Sequence, residues 1–265
     1  MRLIQVLSIV LTQFSVGTLL MTSLLPPREI RLSFFTLNSL LGAVAAALAL
    51  VLTKFGEGSA WWDVRYLGLT VIGATVAFGL FKLEKADIGR VFLIVSGLLG
   101  LVFGLLPLSS QALATRGLHT TAPLFFDATL LAGAALLGAT NVGMILGHWY
   151  LVTPKLPEAP LVLLAKVLLS VVIVQVVLFW VWIATGAGPA DVTPFSSLTG
   201  PWALFVWFRL IVGLIFPLIV CWASVQTART RSMESATGLL SINVGSIAAG
   251  TILAAGLYFG AGLLV

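Results

Sequence analysis

Residues 128–147 read ATLLAGAALLGATNVGMILG, twenty residues without one charged side chain. As an α-helix this segment would rise about 30 Å, which matches the hydrocarbon thickness of a bilayer. Asp127 precedes it, Asn141 lies within it and His148 follows it. Because the spacings are fourteen and seven residues, these polar side chains fall within about 60° of one helix face. The segment therefore predicts a membrane-spanning helix with one polar face.

The composition extends this prediction to the whole chain. Hydrophobic residues make up 60% of it and charged residues 9%, with a mean hydropathy of +1.14, whereas soluble domains carry about 25% charged residues. Eight apolar stretches each reach the length of roughly 20 residues that a spanning helix needs. They cover residues 3–25, 32–53, 62–81, 88–107, 123–150, 159–185, 202–227 and 236–262. We expect an all-α integral membrane protein, a bundle of about eight transmembrane helices forming a single polytopic domain over residues 1–265.

The loop cations predict the orientation of this bundle, because Lys and Arg are enriched in cytoplasmic loops. Eight of them fall on one side: Arg28, Arg31, Lys82, Lys85, Arg90, Lys155, Arg229 and Arg231. The other side has four: Arg2, Lys54, Arg65 and Arg116. Both termini are therefore expected on the outer face of a multi-pass protein of the cell's inner (cytoplasmic) membrane. The net charge of +5 is explained by this signal and by anionic lipid, and it calls for no nucleic-acid partner.

Four ionisable groups lie within or at the edge of the expected spans. A buried ion is costly without a partner, and a partner must lie at a similar depth. Asp127 and Arg209 are both near the outer face and could form an ion pair, or each could snorkel separately. His148 and Lys166 flank the fifth-to-sixth connection at the cytoplasmic face, where they could line one polar pocket, although Lys166 could also snorkel. Asn141 would lie between these half-sites, on a buried helix face that could serve as a proton route.

Several kinds of site are not expected from the sequence. The single cysteine, Cys221, is too few for an iron–sulfur cluster. His119 and His148 fall at opposite faces, so we expect no internal haem held by both, although a haem with one histidine or one shared between chains stays open. Nucleotide-binding, zinc and nucleophile signatures are absent. We therefore name no catalytic or metal-ligating residue and expect no enzymatic catalysis by this chain alone.

Three short segments carry a resemblance to a known family. They are SIVLTQFSVG (Ser8–Gly17), WFRLIVGLI (Trp207–Ile215) and AAGTILAAGLYFG (Ala248–Gly260). Together with the layout of spans, they resemble the membrane anchors of molybdenum oxidoreductases, of the DmsC, NrfD and polysulfide-reductase type. The chain departs from that family at residues 47–65, where the family usually has a histidine. The resemblance implies a cofactor-free anchor that binds menaquinone or ubiquinone, and it carries over only Gln13 and Arg209.

The leading hypothesis is a membrane anchor or quinone-interacting subunit of a respiratory or photosynthetic electron-transfer complex. Its partners would be the lipid bilayer and other subunits of an oxidoreductase complex that carry the redox centres. The candidates for quinone binding or a proton route are Gln13, Asp127, Asn141, His148, Lys166 and Arg209. Two alternatives stay open: a secondary transporter or proton-coupled channel that uses the Asp127/Asn141/His148 face, and a purely structural membrane subunit.

Overall fold

The part of the chain that a computed structural model describes, residues 2–55, 64–106, 122–153, 156–186 and 193–263, forms eight helices. The helices are α1 (Arg2–Ser23), α2 (Leu32–Phe55), α3 (Val64–Lys82), α4 (Ala86–Leu105), α5 (Ala122–Val152), α6 (Ala159–Thr185), α7 (Ala203–Arg229) and α8 (Met233–Ala261). A short 3₁₀ turn, Ser196–Leu198, precedes α7. The described ranges contain no β-strand, so the expected all-α class is confirmed.

Seven of the described helices are long and apolar enough to cross a membrane. The remaining helix, α3, has a shorter apolar part, Leu67–Lys82, which rises only about 24 Å. Large apolar side chains cover the outside of the bundle, for example Ile72 at 61% and Ile219 at 60% exposure, and such a surface is compatible with lipid. The protein is therefore a multi-pass membrane protein by the character of its helices. The count of eight spans and the orientation of the termini stay predictions.

The ends of α6 show why the sequence places this helix well. It runs over residues 159–185, as expected from the apolar stretch, with Pro160 in its first turn. Proline suits that position because its missing N–H has no partner to lose there. Gly186 then takes the left-handed conformation, with φ of 60°, and its N–H donates to Trp182 O. A residue with a Cβ would be strained at that φ, so Gly186 ends the helix.

The helices pack as two groups of four in chain order, α1–α4 and α5–α8. The groups meet mainly where α1 contacts α5 and α8. At the α1–α5 crossing, Gly17 lies against Ala134 and Gly138, and a Cβ on Gly17 would collide with the Ala134 carbonyl. Without a side chain at Gly17 and Gly138 the two backbones touch, as in other membrane helix pairs with small residues at the contact. This close approach sets the space between the groups.

Candidate functional site

A cavity of about 30 Å³ lies at the junction of α1, α5, α6, α7 and α8. That volume has room for about two water molecules. Its polar wall is formed by Gln13, Thr129, Gln175, Arg209 and Thr251. Its apolar wall is formed by Ile9, Phe126, Leu130, Gly133, Ala254, Ala255, Tyr258 and Phe259. Two of the residues named from the sequence, Gln13 and Arg209, are thus brought together by helices almost 200 residues apart.

Arg209 is the most unusual residue of this wall, because it is a cation with only 2% of its surface exposed. It lies six residues after the start of α7, about 9 Å along the helix. Its Nη2 donates to Gln175 Oε1 at 3.0 Å, and its Nη1 donates to Gly213 O at 3.1 Å. Its Nε is buried and has no hydrogen-bond partner in the described part of the chain. The guanidinium is therefore held through its two Nη atoms, and its Nε–H is unused.

The bond from Arg209 to Gly213 exists because of a break in α7. Residues Ile211–Ile215 form a π-helical turn, with the N–H of Phe216 donating to Ile211 O. Pro217, next in the chain, has no N–H to donate to carbonyls in the preceding turn. Two of those carbonyls are bonded by side chains instead: Gly213 O by Arg209, and Val212 O by the hydroxyl of Ser246 from α8. The π turn and the proline thus provide acceptors for polar side chains inside the bundle.

Two glycines make room for the guanidinium. A Cβ added to Gly213 would lie 2.9 Å from Arg209 Nη1, and one added to Gly250 of α8 would lie 2.8 Å from the same atom. Both distances are shorter than real Cβ contacts allow. Arg209 therefore fits between α7 and α8 only because neither position carries a side chain.

Gln13 of α1 forms the opposite polar wall and is 3% exposed. Its Nε2 donates to Leu130 O of α5 at 3.0 Å. Its Oε1 is buried and accepts no hydrogen bond from any described residue. Gly133 leaves space for this amide, because a Cβ there would lie 2.5 Å from Gln13 Nε2. Among the residues of the cavity wall, Arg209 Nε is thus a donor atom without a partner and Gln13 Oε1 is an acceptor atom without one.

The charge of this site is uncompensated within the described ranges. Arginine is protonated at physiological pH, and the two bonded partners of Arg209, an amide and a backbone carbonyl, are neutral. Burial of an unpaired ion is unfavourable, and a low dielectric strengthens its attraction for any anion that reaches it. The arrangement is able to bind a ligand oxygen with Arg209 and a ligand donor with Gln13.

The expected ion pair between Asp127 and Arg209 is wrong, because Arg209 bonds to Gln175 and Gly213 instead. Asp127 is half-buried on α5 and is not part of the cavity wall. Its neighbour Phe126 does line the cavity, and one residue further along a helix turns the side chain by about 100°. Their similar depth in the membrane stays a prediction, and depth does not fix the rotation of a helix.

The polar face of α5 is only partly buried. Asn141 is 7% exposed, and its Nδ2 donates to Thr18 Oγ1 of α1 at 3.3 Å. His148 is exposed, and its Nδ1 lies 2.9 Å from Met144 O of its own helix. The expectation that the whole face is buried is therefore wrong at His148. There the last turn of α5 packs on Thr237 of α8 through Gly147, which leaves the adjacent His148 outside.

The half-site expected from His148 and Lys166 stays a prediction. Lys166 is exposed on α6 and makes no side-chain hydrogen bond in the described ranges. A pocket at the same end of the bundle is lined by Tyr150, Leu151, Leu156 and residues 231–234, without either of them. His119, Arg116 and Lys155 lie outside the described residues.

Sequence reasoning did not single out Gln175 or Gly213 as partners of Arg209. The signal that was available lies in α7, where Arg209, Gly213 and Pro217 are each four residues apart. Since Pro217 cannot donate to the Gly213 carbonyl four residues earlier, this spacing predicts that the arginine can use it. The choice of Gln175 as second partner depends on packing between α6 and α7.

A metal centre has no support in the described ranges, where no group of three His, Cys, Asp or Glu side chains comes together. The chemistry of the cavity is that of hydrogen bonding and charge. Comparisons with protein-family models, with curated proteins and with solved structures found no match to this chain.

Proposed function

We propose that this chain is the membrane anchor of a multi-subunit electron-transfer complex and binds a quinone headgroup at the cavity of Gln13, Gln175 and Arg209. One observation carries the proposal. A buried cationic donor and a buried amide acceptor line the same cavity, and each has an atom without a partner among the described residues. Binding sites in membrane bundles combine apolar walls with a few such polar groups.

The proposed roles follow from the chemistry of a quinone. Its carbonyl oxygens accept hydrogen bonds, so Arg209 Nε–H is the donor for one of them. After reduction the hydroxyl of the quinol donates, and Gln13 Oε1 is then the acceptor. Gln175 is a positioning residue, because its bond to Nη2 holds the guanidinium in place. Apolar side chains such as Ile9 and Leu130 surround the ring.

Quinone entry requires movement of the cavity wall. The cavity is about 30 Å³, whereas pockets for larger organic ligands measure about 300–1,000 Å³. Phe126 and Tyr258 stack over part of the wall with ring centroids 4.2 Å apart. In this proposal the two rings separate and the quinone ring takes a place between apolar faces of similar shape.

Electrons would come from or go to a partner subunit with an iron–sulfur or haem centre. In this proposal the redox chemistry belongs to the quinone and to that partner. Protons exchanged with the quinone would have to reach water. The bonded pair of Asn141 and Thr18 is a candidate part of such a route.

The proposal is tested by purifying the tagged chain from its native membranes with mild solubilisation. Co-purifying subunits are identified by mass spectrometry, and quinone is extracted and counted per chain. We expect a redox subunit and bound quinone with the wild type. Arg209→Gln should lower the quinone content at least about tenfold, because a charge-assisted bond is lost. Arg229→Gln is the matched control, since it makes the same change at the exposed end of the same helix.

Gln13→Leu is a second test of the site that keeps the charge of Arg209. Circular dichroism and gel filtration show whether each variant folds. A stable wild-type chain without quinone and without a redox partner would refute the proposal. Full quinone content in a folded Arg209→Gln variant would show that the quinone binds somewhere other than this cavity.

A secondary transporter is the second candidate, favoured by the break in α7. Transporters often bind substrate at interrupted helices, and the π turn at Ile211–Ile215 lies beside the cavity residue Arg209. Flux through proteoliposomes that is abolished by Asp127→Asn, in a chain without quinone, would favour this function. Unchanged flux in that variant would count against a proton route along α5.

A further inference from the structure

The charge of Arg209 specifies more about the ligand than its hydrogen bonds do. The guanidinium is 2% exposed, and both of its bonded partners are neutral. The ionised side chain of Arg209 thus lines a cavity. No carboxylate of the described residues is bonded to it. Such a site attracts negative charge much more strongly than a hydrated arginine does, because the surrounding dielectric is low.

The position of this charge is fixed by its surroundings. Nη2 is held by Gln175 at 3.0 Å, and Nη1 is held by Gly213 O at 3.1 Å. Gly213 and Gly250 pack so closely around the guanidinium that a methyl group at either position would collide with it. Lysine and arginine at membrane surfaces normally snorkel into water, but Arg209 is bonded inside the bundle. The positive charge of Arg209 is therefore held in a fixed position at the cavity wall.

We infer that this cavity selects the anionic form of its ligand, so that it binds acidic hydroxyquinones in preference to neutral quinones with the same ring. The inference rests on the proposed function and specifies the charge state of the ligand at that site. An ionised ligand oxygen pairs with Arg209 Nε–H and neutralises the guanidinium. A neutral carbonyl accepts the same hydrogen bond and leaves the charge in place. Only the ionised ligand therefore removes the cost of the buried cation.

The experiment compares three small quinones that differ at one position. 2-Hydroxy-1,4-naphthoquinone is ionised at neutral pH, its 2-methoxy ether is neutral, and 1,4-naphthoquinone controls for the bulk of the methyl group. Each is titrated at pH 7 into the purified full chain in lipid nanodiscs and followed by calorimetry. Protein-free nanodiscs measure partition into lipid. We expect the hydroxyquinone to bind at least about tenfold more tightly than both neutral ligands.

Gln175→Glu tests the origin of this preference. It places a carboxylate of the same size at the position that now bonds Arg209 at 3.0 Å. The guanidinium is then neutralised, and the preference should fall to within about twofold. Gln226→Glu is the matched control, because Gln226 is exposed on α7. That variant should keep the preference of the wild type.

The wild-type titrations decide the inference even if Gln175→Glu does not fold. Equal affinity for the three ligands would overturn the selection of the anion and leave the proposed quinone site standing. Absence of binding by all three, in a chain that also carries no native quinone, would overturn both. Retention of the preference in a folded Gln175→Glu variant would show that Arg209 is not its source, and would also overturn the inference.

Discussion

Replacing Gly250 by alanine would put a methyl group where Arg209 already lies. The added Cβ would be 2.5 Å from Gly213 Cα, 2.8 Å from Arg209 Nη1 and 3.2 Å from Gly213 O. The last two atoms form the bond that holds the guanidinium, so moving the backbone of α7 away from the methyl group would also weaken that bond. The substitution therefore tests the packing of α7 on α8 and the placement of the buried charge together.

The expected loss of stability in Gly250→Ala follows from these contacts. Overpacking a close contact costs about 1–3 kcal/mol, and weakening a hydrogen bond from a charged group costs about 1.5–3 kcal/mol more. Alanine in a helix returns up to about 1 kcal/mol relative to glycine. We expect Gly250→Ala to lower the free energy of unfolding by about 2–4 kcal/mol, allowing for partial relaxation.

The measurement is reversible unfolding by sodium dodecyl sulfate in mixed micelles, followed by circular dichroism. Gly245→Ala is the matched control, because Gly245 lies on the same helix and has no atom within 4 Å of an added Cβ. That control should be as stable as the wild type or slightly more so. If the two variants unfold at the same detergent fraction, the close packing around Arg209 is wrong.

Three further predictions use neighbouring features. Gly17→Ala should destabilise the chain by about 1–3 kcal/mol, because its Cβ would meet the Ala134 carbonyl. Gly68→Ala should not destabilise it, because a Cβ at Gly68 has open space around it. The same unfolding assay compares the two variants. Asn141→Leu should lower the free energy of unfolding by about 0.6–1.7 kcal/mol, because the hydrogen bond to Thr18 is lost. His148→Ala should lower it by less than about 0.5 kcal/mol, because His148 is exposed. Equal losses of stability in the two variants would contradict the difference in burial. Pro217→Ala restores an N–H that competes for Gly213 O, so affinity for the hydroxyquinone should fall about fivefold, or about 1 kcal/mol; unchanged affinity would argue against a role of the proline.

The helices of this protein were predictable because each prediction needs only local information. An apolar stretch of sufficient length and a proline or glycine at its ends were enough for α6, whose limits agree with the sequence at both ends. The rise per residue also placed Asp127 and Arg209 at similar depth. The pairing of those two was wrong because depth leaves the rotation of each helix open. Arg209 faces Gln175, and nothing local in α6 predicts that contact.

By itself the sequence determined that long apolar helices form and that polar groups lie inside them. Only the tertiary structure decided which helix faces meet. Close contact at Gly17 and Gly138 brings α1 onto α5, which helps to place Gln13 and Arg209 on one cavity, whereas contact of Gly147 with Thr237 of α8 leaves His148 outside. The physical reason is that helix formation depends on neighbours along the chain, whereas helix rotation and partner choice depend on small residues that are distant in sequence and fit against each other.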